Sequence, residues 1–344
     1  MHSLQNTLYI MTPNAYAHLD NATVRIDVER VKRLQVPLHH ISALVCFGNV
    51  IVSPALMHRL ADEGKALVLL DESGRFKARL EGPVSGNILL RQAQYHAANT
   101  AEKALELARA FVAGKIRNAR SIIQRGAREA DDGSDASQLT RAADNLAASL
   151  RAAATVQTLD ELRGVEGEAA RGYFAALNLI VKPAFRARFQ LDGRTRRPPL
   201  DRFNALISFL YAMLMNDCRS ACETVGLDPQ LGFLHAVRPG RAALALDLQE
   251  EFRAVLCDRL ALTLINRGQI DETDFDLREG GAVMLNDKGR RAVVTAWQER
   301  KQEEITHPLL EQKMPYALLP LVQARFLART LRGETEGYLP FLAK

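Results

Sequence analysis

The chain is 344 residues long, 47% hydrophobic and 25% charged, which gives enough material for about two domains and a large core. That balance excludes disordered, collagen-like and coiled-coil classes. The net charge of +5 is concentrated: between Lys182 and Arg202 seven basic residues (Lys182, Arg186, Arg188, Arg194, Arg196, Arg197, Arg202) stand against two acids, Asp192 and Asp201.

The first 80 or so residues carry strand signals. Thr7–Met11, Ala15–Leu19 and Ala22–Val28 are short β-favouring runs, with Asp20-Asn21 marking a tight turn. Within the third run Val24, Ile26 and Val28 alternate with Arg25, Asp27 and Glu29, the period of a half-buried strand. Ile41–Phe47 and Val50–Val52 follow, divided by Gly48-Asn49, and Pro54 opens a short helix to about Glu63. Ala66–Leu70 and Arg75–Leu80 flank Asp71-Glu72-Ser73-Gly74 as a hairpin. Gly82-Pro83-Val84-Ser85-Gly86 reads as a linker.

From Asn87 the period becomes helical. Helices are predicted over Ile88–Arg128 with an interruption near Asn99, then from the Asp131–Asp135 break to about Ala154. Others are predicted at Leu159–Leu177, Asp201–Val225, Leu244–Asn266, Asp287–Ile305 and Ala317–Leu331, with a hairpin at Phe275–Leu285 around Gly280-Gly281. The expected fold class is α+β: a β-rich domain over 1–81, a linker at 82–86, and a large α-helical domain over 87–344.

Four cysteines are too few for a disulfide scaffold of this size, and Cys218 and Cys222 sit on an apolar helical pattern as core thiols. Met1–Met11 has no basic region followed by a long apolar run, so no signal peptide is predicted. The uncharged stretch Leu34–His58 is broken by Pro37, His39-His40, Asn49 and Pro54, and Phe203–Asn216 has the length of a buried helix. A cytoplasmic protein with no membrane segment is expected.

Phosphate loops, dinucleotide fingerprints, paired Cys-x-x-Cys, His-Glu-x-x-His and Gly-x-Ser-x-Gly motifs are all absent from the sequence. What remains is carboxylates and a histidine. At 100° per residue Glu166 shares a face with Ala169, Ala170, Tyr173 and Leu177, while Glu168 and Arg171 fall opposite. A carboxylate in an apolar stripe must be paired, protonated or metal-bound, and the flanking Gly164 and Gly167 suggest that something approaches closely. Gly226–Gly232 marks a loop that leads through Phe233-Leu234 to His235. Further on, Asp247, Glu250, Glu251 and Asp258 crowd one arc of the predicted Leu244–Asn266 helix, either as a solvated acidic face or as part of a site. Spacing leaves open which of these acids matters.

Carboxylates with one imidazole suit Mg2+ or Mn2+ better than structural zinc, and basic residues beside such a site suggest a phosphodiester substrate. Asn204, Ser208 and Tyr211 form a polar stripe on the Asp201 helix, which is either bonded back to its own helix or lines a site.

Four segments in this order resemble the CRISPR-associated spacer integrases, the larger protein of the CRISPR adaptation pair. They are Arg163-Gly164-Val165-Glu166-Gly167 with Tyr173-Phe174; Arg196-Arg197-Pro198-Pro199 followed by Asp201, Asn204-Ala205-Leu206 and Ser208-Phe209; Gly232-Phe233-Leu234-His235; and Asp247-Leu248-Gln249-Glu250-Glu251-Phe252-Arg253. The overall look leans toward the type I-C branch. The resemblance implies a metal site of Glu166, His235 and Glu250, with Asp247 as a neighbour in the catalytic group. It also implies a homodimer formed through the β domains, a small companion protein, and double-stranded DNA in the form of protospacer and repeat. Arg186, Arg188, Arg196, Arg197, Arg238 and Arg241 are then expected to hold phosphate backbones. The competing readings are a stand-alone DNA-repair nuclease and a non-catalytic DNA-binding scaffold.

Overall fold

The structure is a computed structural model that describes residues 7–72, 76–80, 82 and 88–343. The chain divides into two compact units, Met1–Ser85 with Lys301–Glu303 and Pro315–Leu318, and Gly86–Arg300 with Glu304–Met314 and Leu319–Lys344. The 82–86 linker falls outside the described residues apart from Gly82.

The first unit holds two four-stranded sheets. One sheet contains β2 (Tyr16–Asp20), β3 (Thr23–Val28), β4 (Val31–Pro37) and β6 (Ile51–Val52), ordered β4-β3-β2-β6. The other is β1 (Thr7–Ile10), β5 (Ala43–Phe47), β7 (Ala66–Leu70) and β8 (Phe76–Leu80), ordered β1-β5-β7-β8. Strands β5 and β7 pair in parallel, with α1 (Pro54–Asp62) as the chain between them. Their unbroken apolar sequences fit strands buried on both faces. The predicted alternation of β3 holds at Val24 and Ile26, which enter the core with Ala17, Leu44, Leu56 and Leu67. Residues 73–75 of the predicted β7–β8 turn lie outside the described residues, while the antiparallel pairing itself is present.

Strand β4 has no counterpart among the elements expected from the sequence. Its turn from β3 is made by Glu29 and Arg30, both at positive φ (52° and 63°), where Gly or Asn is the usual signal. The strand is an edge, mostly exposed and carrying Lys32 and Arg33, so it lacks an apolar pattern.

The second unit is helical. α2 (Ile88–Asn99) and α3 (Ala101–Glu129) are separated at Thr100, as the interruption near Asn99 predicts. Helix α3 packs with α4 (Gly133–Thr155) and α5 (Leu159–Ile180). The Asp132 side chain caps α4, and Thr158 and Glu161 form a reciprocal capping box at α5. After the short α6 (Pro183–Arg186), α7 (Arg202–Val225) runs from its Asp201 cap to Gly226, which takes φ 89° and closes the helix.

The predicted Leu244–Asn266 helix is not continuous. α8 (Ala243–Gln249) stops, the chain turns through Glu250–Phe252, a π-helical stretch covers Arg253–Asp258, and α9 is Arg259–Asn266. No Gly or Pro marks the interruption. Strands β9 (Phe275–Leu277) and β10 (Val283–Leu285) form the predicted hairpin. α10 (Asp287–Gln302) ends three residues before the expected Ile305, and α11 is Leu319–Leu331. All four cysteines are free and buried. Among the described residues no helix is long and apolar enough to cross a membrane.

Candidate active site

His235 stands at the end of a loop that is held from two sides. On α2, Arg91 Nε donates to Gly226 O (3.2 Å), Gln94 Nε2 donates to Asp228 O and Leu231 O (2.8 Å each), and Tyr95 OH donates to Asp228 Oδ2 (2.8 Å). On α8, the fully buried Asp247 accepts Phe233 N (2.6 Å) and Leu234 N (3.0 Å) at Oδ2, and His235 N (2.9 Å) at Oδ1. The same Oδ1 lies 2.6 Å from His235 Nδ1. A carboxylate only accepts, so Nδ1 carries the hydrogen and Nε2 points away from Asp247. Gly232 makes this wrap feasible: a Cβ there would sit 2.6 Å from Asp247 Oδ2 and 2.7 Å from the Ala243 carbonyl carbon.

His235 Nε2 faces Glu250, 3.7 Å from its Oε1. The other oxygen, Oε2, lies 2.8 Å from Lys115 Nζ of α3, and Lys115 also pairs with Glu166 Oε1 of α5. Arg253 pairs with Glu250 Oε1. The structure thus brings Glu166, His235 and Glu250 together, with the Lys115 ammonium between the two glutamates. Burial raises the pKa of Glu250, but Arg253, Lys115 and His235 outweigh it and hold the carboxyl down at about 2.

Among the described residues, no three His, Cys, Asp or Glu side chains are gathered closely enough to cage a metal ion as they stand. The fit to a cation rests on the site's chemistry. A positive group already occupies the centre, and the buried Glu250 Oε2 has that ion pair but no aligned hydrogen-bond donor. Two carboxylates and an imidazole are a donor set for a hard or borderline divalent ion.

The other acids are not a solvated face. Asp247, Glu250, Glu251 and Asp258 are all buried, and each goes to different partners instead of sharing one arc. Glu251 accepts from Tyr338 OH, from Gln323 Nε2 (2.9 Å) and from Phe341 N (2.6 Å); burial raises its carboxyl to about 8 against the pull of those donors. Asp258 accepts the Tyr211 hydroxyl (2.7 Å) and the Tyr173 hydroxyl (2.9 Å). Burial pushes Asp258 up to about 6, opposed by those two hydroxyls and by Arg194 and Arg253.

Because the folded-state value of Asp258 lies above the ordinary 3.8, the native chain keeps a proton that the unfolded chain has shed between about pH 4 and 6. Its contribution to stability is complete below that window and is lost as pH rises through it. Urea unfolding of the parent and of Asp258→Asn should therefore show the parent losing stability relative to the variant from pH 4 to pH 7. A pH-independent difference would contradict the assignment.

In the Asn204–Ser208–Tyr211 stripe Asn204 Nδ2 donates back to the Asp201 cap (2.5 Å), and the stripe also turns to arginines. Asn204 Oδ1 and Ser208 Oγ accept from Arg194 at 2.7 and 3.0 Å, and the Tyr211 ring lies between two guanidiniums, Arg194 at 5.3 Å and Arg253 at 4.9 Å. The stripe is a cradle for Arg194.

The six arginines expected on phosphates also separate. Arg186 pairs with Asp135 (2.8 Å) and donates to the Leu179 and Val181 carbonyls while its side chain remains about a third exposed. Arg188 is exposed, donates to Ala184 O and lies 5.3 Å from the Phe185 ring. Arg196, Arg197 and Arg238 are exposed. Partial burial and the positive charges of Arg238, Arg196 and Arg197 lower the Arg241 pKa, while Asp247 opposes them; two loops therefore bring these four arginines into one basic neighbourhood. Around Gly164 and Gly167 the 4 Å about a hypothetical Cβ is open space, so no segment of the chain itself approaches there.

Sequence reasoning missed Lys115, Arg194 as a packed element, Arg253 as the partner of Glu250, and the Glu251 contacts with the C-terminal segment. Only Lys115 left a signal, as a lone cation on the largely apolar stripe that includes Phe111, Val112 and Ala119 beside the polar Asn118.

The chain falls within a class of CRISPR-associated nucleases. Residues 8–299 match the family model described as CRISPR associated protein Cas1. The chain is 54% identical over 342 residues to the CRISPR-associated endonuclease Cas1 1 of Moorella thermoacetica, covering 99% of each chain. Among solved structures it resembles the Cas6-RT-Cas1–Cas2 complex (TM-score 0.84, 22% identity, 100% of this chain and 37% of that one). It also resembles a casposase bound to integration product (TM-score 0.82, 22% identity, 97% and 93%). The chain belongs to the Cas1 family.

Proposed function

We propose that the protein is a divalent-metal-dependent DNA endonuclease and integrase of CRISPR adaptation, which joins protospacer DNA to a CRISPR array by attack of a 3′-hydroxyl on the repeat phosphodiester. The observation that carries this is the meeting of Glu166, His235 and Glu250 around one positive centre, supplied by three separate segments, in a chain 54% identical to a named Cas1 endonuclease.

We assign the cation to Glu166, His235 Nε2 and Glu250, with Mg2+ or Mn2+ as the ion. Such an ion supplies charge stabilisation at a phosphate undergoing in-line displacement. The chain's own residues do the positioning. Asp247 orients the imidazole and is itself saturated with donors, which makes Glu250 the ligand of the pair. Arg253 and Lys115 hold Glu250 ionised. Arg186, Arg188, Arg196, Arg197, Arg238 and Arg241 carry the phosphate backbone without reading sequence. Water in place of the 3′-hydroxyl yields hydrolysis at the same site.

The β-rich domain over 1–81 serves dimerisation, 82–86 is the linker, and 87–344 is the catalytic domain. The dimer works with a small companion of the kind named in the Cas1–Cas2 complex, on double-stranded DNA in the cytoplasm. The motif set favours the type I-C branch.

Incubating the protein with a 3′-OH duplex and a repeat-bearing plasmid tests the reading. Covalent joining is expected; cleavage without joining indicates a stand-alone nuclease, and neither activity indicates a scaffold. In a second measurement, the Arg196→Ala/Arg197→Ala double variant should bind DNA more weakly, and its plot of log affinity against log salt should flatten by about 2 units of slope. A slope equal to the parent's removes DNA from that surface.

A further inference from the structure

The last residues of the chain are stitched into the second unit beneath Glu250. Tyr338 OH and Phe341 N both donate to the Glu251 carboxylate, and Gln323 Nε2 is shared between Glu251, Tyr338 OH (3.0 Å) and Leu339 O (3.1 Å). Asn118 of α3 closes the circuit. Its Nδ2 donates to Glu251 O and to Phe341 O, 2.8 Å each, and its Oδ1 accepts from Ala343 N at 2.9 Å. The Phe341 ring lies 5.8 Å from that of Phe252, and the Tyr338 ring 5.1 Å from that of Phe111.

These contacts meet on the stretch of α3 that bears Lys115. Gly114, its immediate neighbour, has no room for a side chain: a Cβ would lie 2.8 Å from Pro340 Cβ and 3.2 Å from Glu251 Cγ. Glycine here lets the tail and the Glu251 side chain both press against the helix. Glu251 follows Glu250, and that segment is irregular, placed between the end of α8 and the π-helical stretch. Backbone bonds from Glu250 N to Asp247 O and from Phe252 N to Gln249 O hold this turn from within, and the tail and Asn118 anchor it against α3.

We propose that the C-terminal segment Tyr338–Ala343 is a strap that locks the Glu250–Glu251 backbone against α3, making Tyr338, Asn118 and Glu251 positioning residues for the cation held by Glu166, His235 and Glu250. This rests on the metal assignment given under Proposed function. The strap acts at a distance, through the backbone of one ligand, in the manner of groups outside the coordination sphere that orient the ligands within it.

The test is a Mn2+ titration of the full chain by electron paramagnetic resonance, paired with steady-state DNA cleavage. Tyr338→Phe keeps the ring and removes only the hydroxyl, and Asn118→Ala cuts the second half of the strap. In both variants the Mn2+ dissociation constant should rise about tenfold, and kcat should fall with KM for DNA unchanged. Leu285→Ala on β10, a buried position outside the strap, serves as a destabilised control that retains the parent's Mn2+ affinity. Parent-like Mn2+ affinity and kcat in Tyr338→Phe and Asn118→Ala, with only the melting temperature lowered, would overturn the strap alone. Failure of the parent itself to bind Mn2+ would overturn the metal assignment and the strap with it.

Discussion

Glu250→Gln is expected to reduce strand transfer by about 10³-fold or more, while duplex binding stays within about twofold of the parent. The substitution preserves shape and removes one negative charge from a buried centre where Lys115 and Arg253 remain. A cation added to that centre then meets two fixed positive groups and a single carboxylate, Glu166. Charge stabilisation of a displaced phosphate is worth several kcal/mol, and each 1.4 kcal/mol is about a factor of ten in rate. Binding survives because affinity for a duplex comes mostly from phosphate contacts, placed here on Arg196, Arg197, Arg238 and Arg241. Glu166→Ala and His235→Ala should behave alike. Gel-shift affinities and single-turnover joining rates check the separation; activity within tenfold of the parent in all three would contradict the assigned ligands.

Asp247→Ala is expected to lower both stability and turnover. It leaves the Phe233, Leu234 and His235 amides without their acceptor, each a buried donor whose orphaning costs about 1–3 kcal/mol. A total loss of about 3–5 kcal/mol is expected, in line with breaking one side of a buried polar pair. The imidazole also loses the acceptor that fixes its tautomer, so kcat should fall about 10²-fold. Urea unfolding and steady-state cleavage measure the two effects separately. Asp247→Glu should not restore activity, because the fully buried carboxylate meets the Phe233, Leu234 and His235 amides and the imidazole at 2.6–3.0 Å, and a longer side chain shifts it off those donors. Full turnover in Asp247→Ala would show that His235 is held by something else.

Much of this architecture is legible in the sequence. Alternation places β3, helical period places α2 through α5 with the interruption near Asn99, and turn residues mark the break before α4, although Gly133–Asp135 already belong to that helix. Those signals are local, and so are the elements they mark. Strand β4 escapes because its turn uses Glu29 and Arg30 at positive φ, and because an edge strand has only one neighbour to impose a pattern. The interruption after Gln249 escapes for a different reason: residues 244–266 are all acceptable helix formers, and what accompanies the break is tertiary, Glu250 pairing with Lys115 and Glu251 with the C-terminal segment.

The same contrast holds at the site. Glu166 and His235 stand out as polar groups in apolar settings, and the geometry brings them together with Glu250. The division between Asp247 and Glu250 is invisible to spacing, since it depends on which carboxylate the Phe233–His235 amides claim. Asn204, Ser208 and Tyr211 look like a lining because helical spacing shows a face and not its occupant, which is Arg194. Arg186 looks like its neighbours in a basic run, and its pairing with Asp135, 51 residues earlier, is invisible to spacing.

Anomalous diffraction from crystals of the protein soaked in Mn2+ tests the central claim most directly. A single strong peak within about 2.0–2.6 Å of a Glu166 oxygen, His235 Nε2 and a Glu250 oxygen, with the Lys115 ammonium moved off the centre, is the result expected. A peak that bypasses any of the three, or none at all beside Glu250, would contradict it.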